Sequence, residues 1–142
     1  MKTQDLPALV GRHFEPSAWI LIDQARIDAF ADCTDDRQFI HTDPERAARE
    51  SPWGTTIAHG FLSLSLLAAY PPPDFPVPED LGITLNYGLD RLRFLAPVPV
   101  GARVRLLTAV RDAQMKGPGR VLLTFTKTME IEGGEKPAYV AE

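Results

Sequence analysis

The sequence predicts an α+β protein, and three observations carry that expectation. The first is the apolar run "AHGFLSLSLLAAY", Ala58 to Tyr70, rich in Leu and Ala, free of β-branched residues and stopped by prolines. That composition favours a helix, apolar on most sides and therefore buried. The second is the run "VLLTFTKTMEI", where Val121, Leu123, Phe125, Met129 and Ile131 alternate with Leu122, Thr124, Thr126, Thr128 and Glu130. Such alternation marks a strand with one face packed and one open. The third is a mixed, mostly helical first half. A long buried helix on one face of an antiparallel sheet is the layout these pieces fit.

Taken in order, "WILID" (Trp19 to Asp23) is a short strand candidate. Asp23 is placed to cap the helix "QARIDAFADC", whose Ile27, Phe30 and Ala31 follow helical spacing. In "TDPERAARE", Asp43 is the N-cap of a second helix, with Pro44 at its first position and Glu45 in its first turn. The apolar helix follows. "YPPPDFPVPED", Tyr70 to Asp80, holds five prolines and reads as a stiff loop. "GITLNYGL" and "DRLRFLAP", split at Gly88, are strand candidates. "RVRLLTAV" puts Val104, Leu106, Thr108 and Val110 on one face. Turns follow at "KGPGR" and "EGGE", with a last short strand at "PAYVA". One domain over residues 1–142 is expected from the length. A single sheet with one covered face has edges to hide, and pairing in a dimer would hide them.

Composition narrows the function. Hydrophobic residues make up 44% of the chain, as a globular core requires. The formal charge is −4 and the 15 basic residues are scattered, so no nucleic-acid footprint is expected. The apolar run is too short for a bilayer and no leader pattern opens the chain, so the expectation is a cytoplasmic protein without a membrane partner. The single cysteine, Cys33, is expected to pack as a small apolar residue.

The chemistry-bearing stretch is "TDDRQFIH", Thr34 to His41. Asp32, Asp35 and Asp36 fall where the first helix ends, facing the negative end of its dipole, a place stability alone would give to Lys or Arg. Residues five apart sit roughly 140° apart round a helix and on opposite faces of a strand. Only a curved loop brings Asp36 and His41 together. In "IAHGF", Gly60 opens the apolar helix, where backbone N–H groups lack intrahelical partners and a ligand's carbonyl can approach closely. His59 reads as a capping or core residue, and His13 has no acid at a suggestive spacing. A carboxylate, an imidazole and free N–H groups at a helix start are parts for activating water beside a polarised carbonyl. A metal held by Asp36, His41 and His59 matches no strong ligand spacing.

"FADCTDDRQFIHTDPERAARESPWGTTIAHGF", Phe30 to Phe61, resembles the MaoC-like dehydratases, the (R)-specific enoyl-CoA hydratase family. "NYGLDRLRFLAPVPVGARVR", Asn86 to Arg105, is similar to its nodulation-protein-N-like branch. The signature is carried by Phe30, Thr34, Asp36, His41 and Ala47. The resemblance implies a hot dog fold, an antiparallel sheet wrapped round a long central helix starting near Gly60, assembled as a homodimer or higher even oligomer. It implies cofactor-free, reversible hydration of trans-2-enoyl thioesters of coenzyme A or an acyl carrier, with Asp36 and His41 as the catalytic pair and the Gly60 N–H binding the thioester oxygen. A non-catalytic acyl-binding protein and a thioesterase are the alternatives on the same fold. The chain departs from the family at Asp35, where glycine is usual, and at Gln38-Phe39, where Asn-Pro is usual. If both Asp35 and Asp36 point inward, their like charges work against each other. Arg91, Arg93, Lys116 and Arg120 are candidates by position near turns for coenzyme A phosphates, with ordinary solvated strand charges as the alternative for each.

Overall fold

The computed structural model describes residues 1–142. A 3-10 segment, Thr3–Leu9, is followed by strand β1 (Ile20–Leu21) and helices α1 (Gln24–Thr34), α2 (Phe39–Thr42), α3 (Pro44–Glu50) and α4 (Gly60–Ala69). Strands β2 (Leu92–Phe94), β3 (Arg103–Met115), β4 (Val121–Ile131) and β5 (Tyr139–Ala141) complete the chain. The five strands form one antiparallel sheet in the order β1-β3-β4-β5-β2.

The caps sit where side-chain chemistry puts them. Asp23 accepts from Arg26 N at 2.9 Å, and Asp43 accepts from Arg46 N at 2.9 Å. Each satisfies a helix N–H that has no intrahelical acceptor. Val104, Leu106, Thr108 and Val110 are all buried along β3, as their alternation requires. Val104 and Leu106 meet Ile20, Ile22 and Ile27, Leu62 and Leu66 of α4, Met129 and Tyr139 in the main core, and Val110, further along β3, joins a smaller cluster with Leu6, Leu9 and Phe14. Pro-rich residues 70–80 adopt neither helix nor strand. Phe75 plugs that smaller cluster against Phe14 and Phe125.

Four expectations are corrected. Helix α4 has ten residues and is shorter than α1, and only its Leu62, Ser63 and Leu66 face is buried. Phe61, Ser65, Ala68 and Ala69 are exposed, because the sheet covers one side of the helix only. Residues 82–89 form no strand. Alternation there is real, but a strand needs a hydrogen-bonding neighbour, and β2 already pairs with β5 through Leu92–Phe94 alone. Cys33 is exposed, since the α1 face that packs is the one carrying Ile27 and Ala31. Finally, His41 lies on the single helical turn α2 and not in open loop.

Candidate active site

The connection from α1 to α2 is built around one unusual backbone position. Asp35 caps the C-terminus of α1 with φ 62°, the left-handed conformation, and is the one non-glycine residue in the chain with positive φ. Glycine is the residue that adopts this conformation without a Cβ penalty, which gives a physical reason for glycine being usual here. Asp is among the few other residues that tolerate it. The Asp35 side chain points into solvent, 85% exposed, and pairs with Arg37 at 2.7 Å. The condition of two inward carboxylates is therefore not met. After this cap the chain reverses, and Asp36 turns inward, half-buried.

His41 is buried. Ile57 N donates to Ile40 O at 2.9 Å, and His41 Nδ1 lies 2.7 Å from Ile57 O. A carbonyl only accepts, so Nδ1 carries the proton and Nε2 keeps its lone pair. Burial lowers the His41 pKa from its ordinary value, and the His59 ring acts in the same direction; the Ile57 carbonyl and the Asp36 charge oppose it. The strip carrying Ile57 is anchored by Ala58 N to Val98 O at 2.8 Å and Val100 N to Thr56 O at 3.0 Å.

His59 is buried, with 2% of its surface exposed, as the N-cap residue of α4. Its ring stacks on His41 with centroids 3.8 Å apart and planes 23° apart. Its Nε2 lies 2.9 Å from the backbone oxygen of Asp36, and its Nδ1 is buried without a partner. A carboxylate oxygen of Asp36 and one ring nitrogen each from His41 and His59 all lie within 4.8 Å of one another. That is the apposition the sequence could not place on any regular element. Three donors so close could also surround a divalent metal ion, with each ring's other nitrogen already bonded to a carbonyl.

Gly60 is the first residue of α4, so its N–H has no intrahelical acceptor. It opens onto an apolar cleft of about 350 Å³ lined by Ile57, Gly60, Ser63, Phe94, Pro97 and Ala138 among others. A Cβ at residue 60 would meet Phe94 ring carbons at 3.0 Å, so any larger residue must push the Phe94 ring aside at the mouth of the cleft.

Sequence reasoning missed the scaffold behind these groups. Gln24 Nε2 donates to His41 O at 2.6 Å, and Gln24 Oε1 accepts from the buried Thr56 hydroxyl at 2.6 Å. One side chain thus ties α1, α2 and the strip before α4. The only sequence signal was a long amide directly after an N-cap. Other signature positions gain reasons: Thr34 bonds Phe30 O at 2.7 Å, Phe30 packs 4.9 Å from the His59 ring, and Ala47 is fully buried. His13 is exposed and bridges Ala109 away from the cluster. Of the turn cations, Arg91 pairs with Glu142 and Arg120 bonds Lys116 O.

Residues 5–130 match the family described as MaoC like domain. The chain is 48% identical to nodulation protein N of Rhizobium leguminosarum bv. viciae over 96% of its own length and 85% of the relative's. It is 46% identical to 3-hydroxyacyl-thioester dehydratase Z of Mycobacterium tuberculosis over 97% of its length and 90% of the relative's. The solved structure of the unliganded R-hydratase PhaJ1 from Pseudomonas aeruginosa superposes with a TM-score of 0.72 at 24% identity, covering 93% of this chain and 77% of that one. That likeness shows the hot dog arrangement of sheet and helix.

Proposed function

The chain belongs to the MaoC-like domain family, and on that footing we propose that it is a hydro-lyase of the (R)-specific enoyl-thioester hydratase kind, with Asp36, His41 and Gly60 as its working groups. The observation that carries this reading is the neutral, buried His41 imidazole, its Nδ1–H fixed on Ile57 and a carboxylate of Asp36 beside it, at an apolar cleft that ends on Gly60.

The chemistry follows from the atoms. A trans-2-enoyl thioester lies in the cleft with its carbonyl oxygen on the Gly60 N–H at the positive end of α4. Water sits between Asp36 and His41. Nε2 of His41 takes a proton as the water oxygen bonds to C3. The C2=C3 electron pair moves toward C2 and the thioester oxygen, where the N–H stabilises the enolate. The proton then returns from His41 to C2, giving the (R)-3-hydroxyacyl thioester. Asp36 accepts a hydrogen bond from the water throughout and favours the transient imidazolium. Nothing is oxidised or reduced, and no cofactor is required.

The assembly we propose is a homodimer of chains that each act as one domain over residues 1–142. Support comes from the apolar stripe Ile83, Leu85 and Tyr87, exposed by 79, 78 and 86%, and from Phe61 on the open face of α4. Large apolar side chains this exposed are the kind of surface a partner covers. A second copy supplies an identical extended segment able to pair its backbone. Leu85→Lys with Tyr87→Lys should shift the protein to monomer in sedimentation analysis; an unchanged sedimentation coefficient would count against this surface.

The activity test follows loss of enoyl absorbance and release of free thiol with crotonyl-CoA and longer trans-2-enoyl-CoAs. Loss without thiol is expected, together with its abolition in Asp36→Asn and His41→Ala. Thiol release would make the protein a thioesterase, and binding with neither would make it a non-catalytic acyl-binding protein.

A further inference from the structure

We propose that His59 is a positioning residue for this reaction, one imidazole that holds the Asp36 backbone, the face of His41 and the start of the helix bearing Gly60 in a single arrangement. The inference rests on the hydratase reading above.

His59 carries a cost in stability. A buried polar group is tolerated when its hydrogen-bonding capacity is met. His59 is almost fully buried, yet only one of its two ring nitrogens has a partner. An apolar residue of similar size would avoid the unpaired Nδ1. Core packing therefore does not explain a histidine at this position.

Its three connections do. The Nε2–H donates to the carbonyl of Asp36 at 2.9 Å, across 23 residues of sequence. That bond clamps the segment after the left-handed cap at Asp35, where the chain runs between α1 and α2 outside regular structure. The ring face covers His41 at 3.8 Å and closes one side of the imidazole. With Nδ1 of His41 held by Ile57, the stack leaves that ring little rotation. The third connection is covalent: His59 is the N-cap of α4, so its own backbone sets the direction of the next N–H, that of Gly60. Carboxylate, base and oxygen-binding donor, drawn from three separate segments, thus meet at one residue. Pre-set geometry of this sort is worth large rate factors, and an ångström of misplacement can cost ~10²-fold.

The hydrogen bonds also fix both tautomers. His59 carries its proton on Nε2 and His41 on Nδ1, which leaves lone pairs on His59 Nδ1 and His41 Nε2.

The test uses the full chain and two variants. His59→Phe keeps a stacked ring and removes the donor to Asp36. His59→Gln keeps a donor where Nε2 stood and removes the ring. If the unaltered protein hydrates neither crotonyl-CoA nor longer enoyl-CoAs, the hydratase reading itself has failed. Given wild-type activity, kcat is expected to fall ~10²-fold in His59→Phe, while KM stays within about threefold because the cleft lining is untouched. His59→Gln should recover to within ~10-fold of wild type, the scale of one hydrogen bond. Wild-type kcat in His59→Phe, or a rise in KM alone, overturns the proposal. Long-range ¹H–¹⁵N spectra of the unaltered protein read the tautomers without any variant, so the proposal stays testable even if a substitution prevents folding. His59 protonated on Nδ1 refutes it. Chelation by EDTA should leave activity unchanged; loss restored by Zn²⁺ would make the ring a metal ligand and overturn the positioning role.

Discussion

Gly60→Ala isolates the narrowest contact in the site. The new methyl would lie 3.0 Å from two Phe94 ring carbons and 3.3 Å from a third. Ordinary carbon contacts fall at about 3.5–4.0 Å, so the overlap is about 0.5–1 Å. Phe94 is 46% exposed and held by edge contacts to Phe61 and Tyr139 at 6.1 and 6.2 Å. It can swing at a cost of about 1–2 kcal/mol. Alanine returns up to about 0.5–1 kcal/mol through its better helix propensity. Net stability should therefore fall by no more than about 1.5 kcal/mol, a few degrees in a thermal melt. Activity should suffer far more. Both the methyl and the displaced ring crowd the mouth where the substrate oxygen approaches the N–H. Weakening such a donor costs ~10²–10³ in kcat, about 3–4 kcal/mol of transition-state stabilisation. The assay is enoyl-CoA hydration by Gly60→Ala and by Gly60→Ala with Phe94→Leu, alongside a melt of each. Recovery in the double variant assigns the loss to the ring, and no recovery assigns it to the methyl. Wild-type turnover in Gly60→Ala would refute the reasoning, because an added methyl beside Phe94 would then not hinder the approach of the oxygen to the N–H.

Three further outcomes are expected. Burial depresses the His41 pKa below 6.5, so the base stays neutral at pH 7 and the acid limb of kcat/KM should fall below pH 6.5; by linkage, the stability owed to neutral His41 is complete above 6.5 and lost as pH drops through the folded value. Lys127, on β4, donates to Leu67 O at 2.6 Å at the end of α4, and desolvation lowers its pKa from 10.5 to about 8. The folded state sheds this proton first, so the stability of wild type relative to Lys127→Met should rise between pH 8 and 10.5, by about 3 kcal/mol in denaturant titrations; a flat difference would contradict the burial. At the left-handed cap, Asp35→Gly should keep stability within about 0.5 kcal/mol, whereas Asp35→Val should lose about 1–2 kcal/mol, since a β-branched residue resists positive φ.

Much of the site was readable from the chain because its signals are local. Asp23 and Asp43 cap helices through side chains that reach only three residues along. The faces of β3 and β4 follow from a period of two. The need for Asp36 and His41 to meet off a regular element followed from helix and strand geometry, although the structure met it with a helix end, a left-handed cap, a short loop and one helical turn. Cys33 and residues 82–89 were misread for a related reason. Pattern tells which side chains could face a neighbour and says nothing of whether that neighbour exists in the same chain.

The sequence by itself determined the α+β class, the caps and turns, the packed faces of the long strands, and the identity of the residues that resemble a catalytic pair. These rest on interactions between residues a few positions apart. Only the tertiary structure decided that His59 stacks on His41 and bonds to Asp36, that Gln24 joins three segments, and that the Phe94 ring closes in on residue 60. Those contacts join segments 17 to 34 residues apart, and their distances are set by how the helices settle on the sheet. No spacing along the chain encodes them.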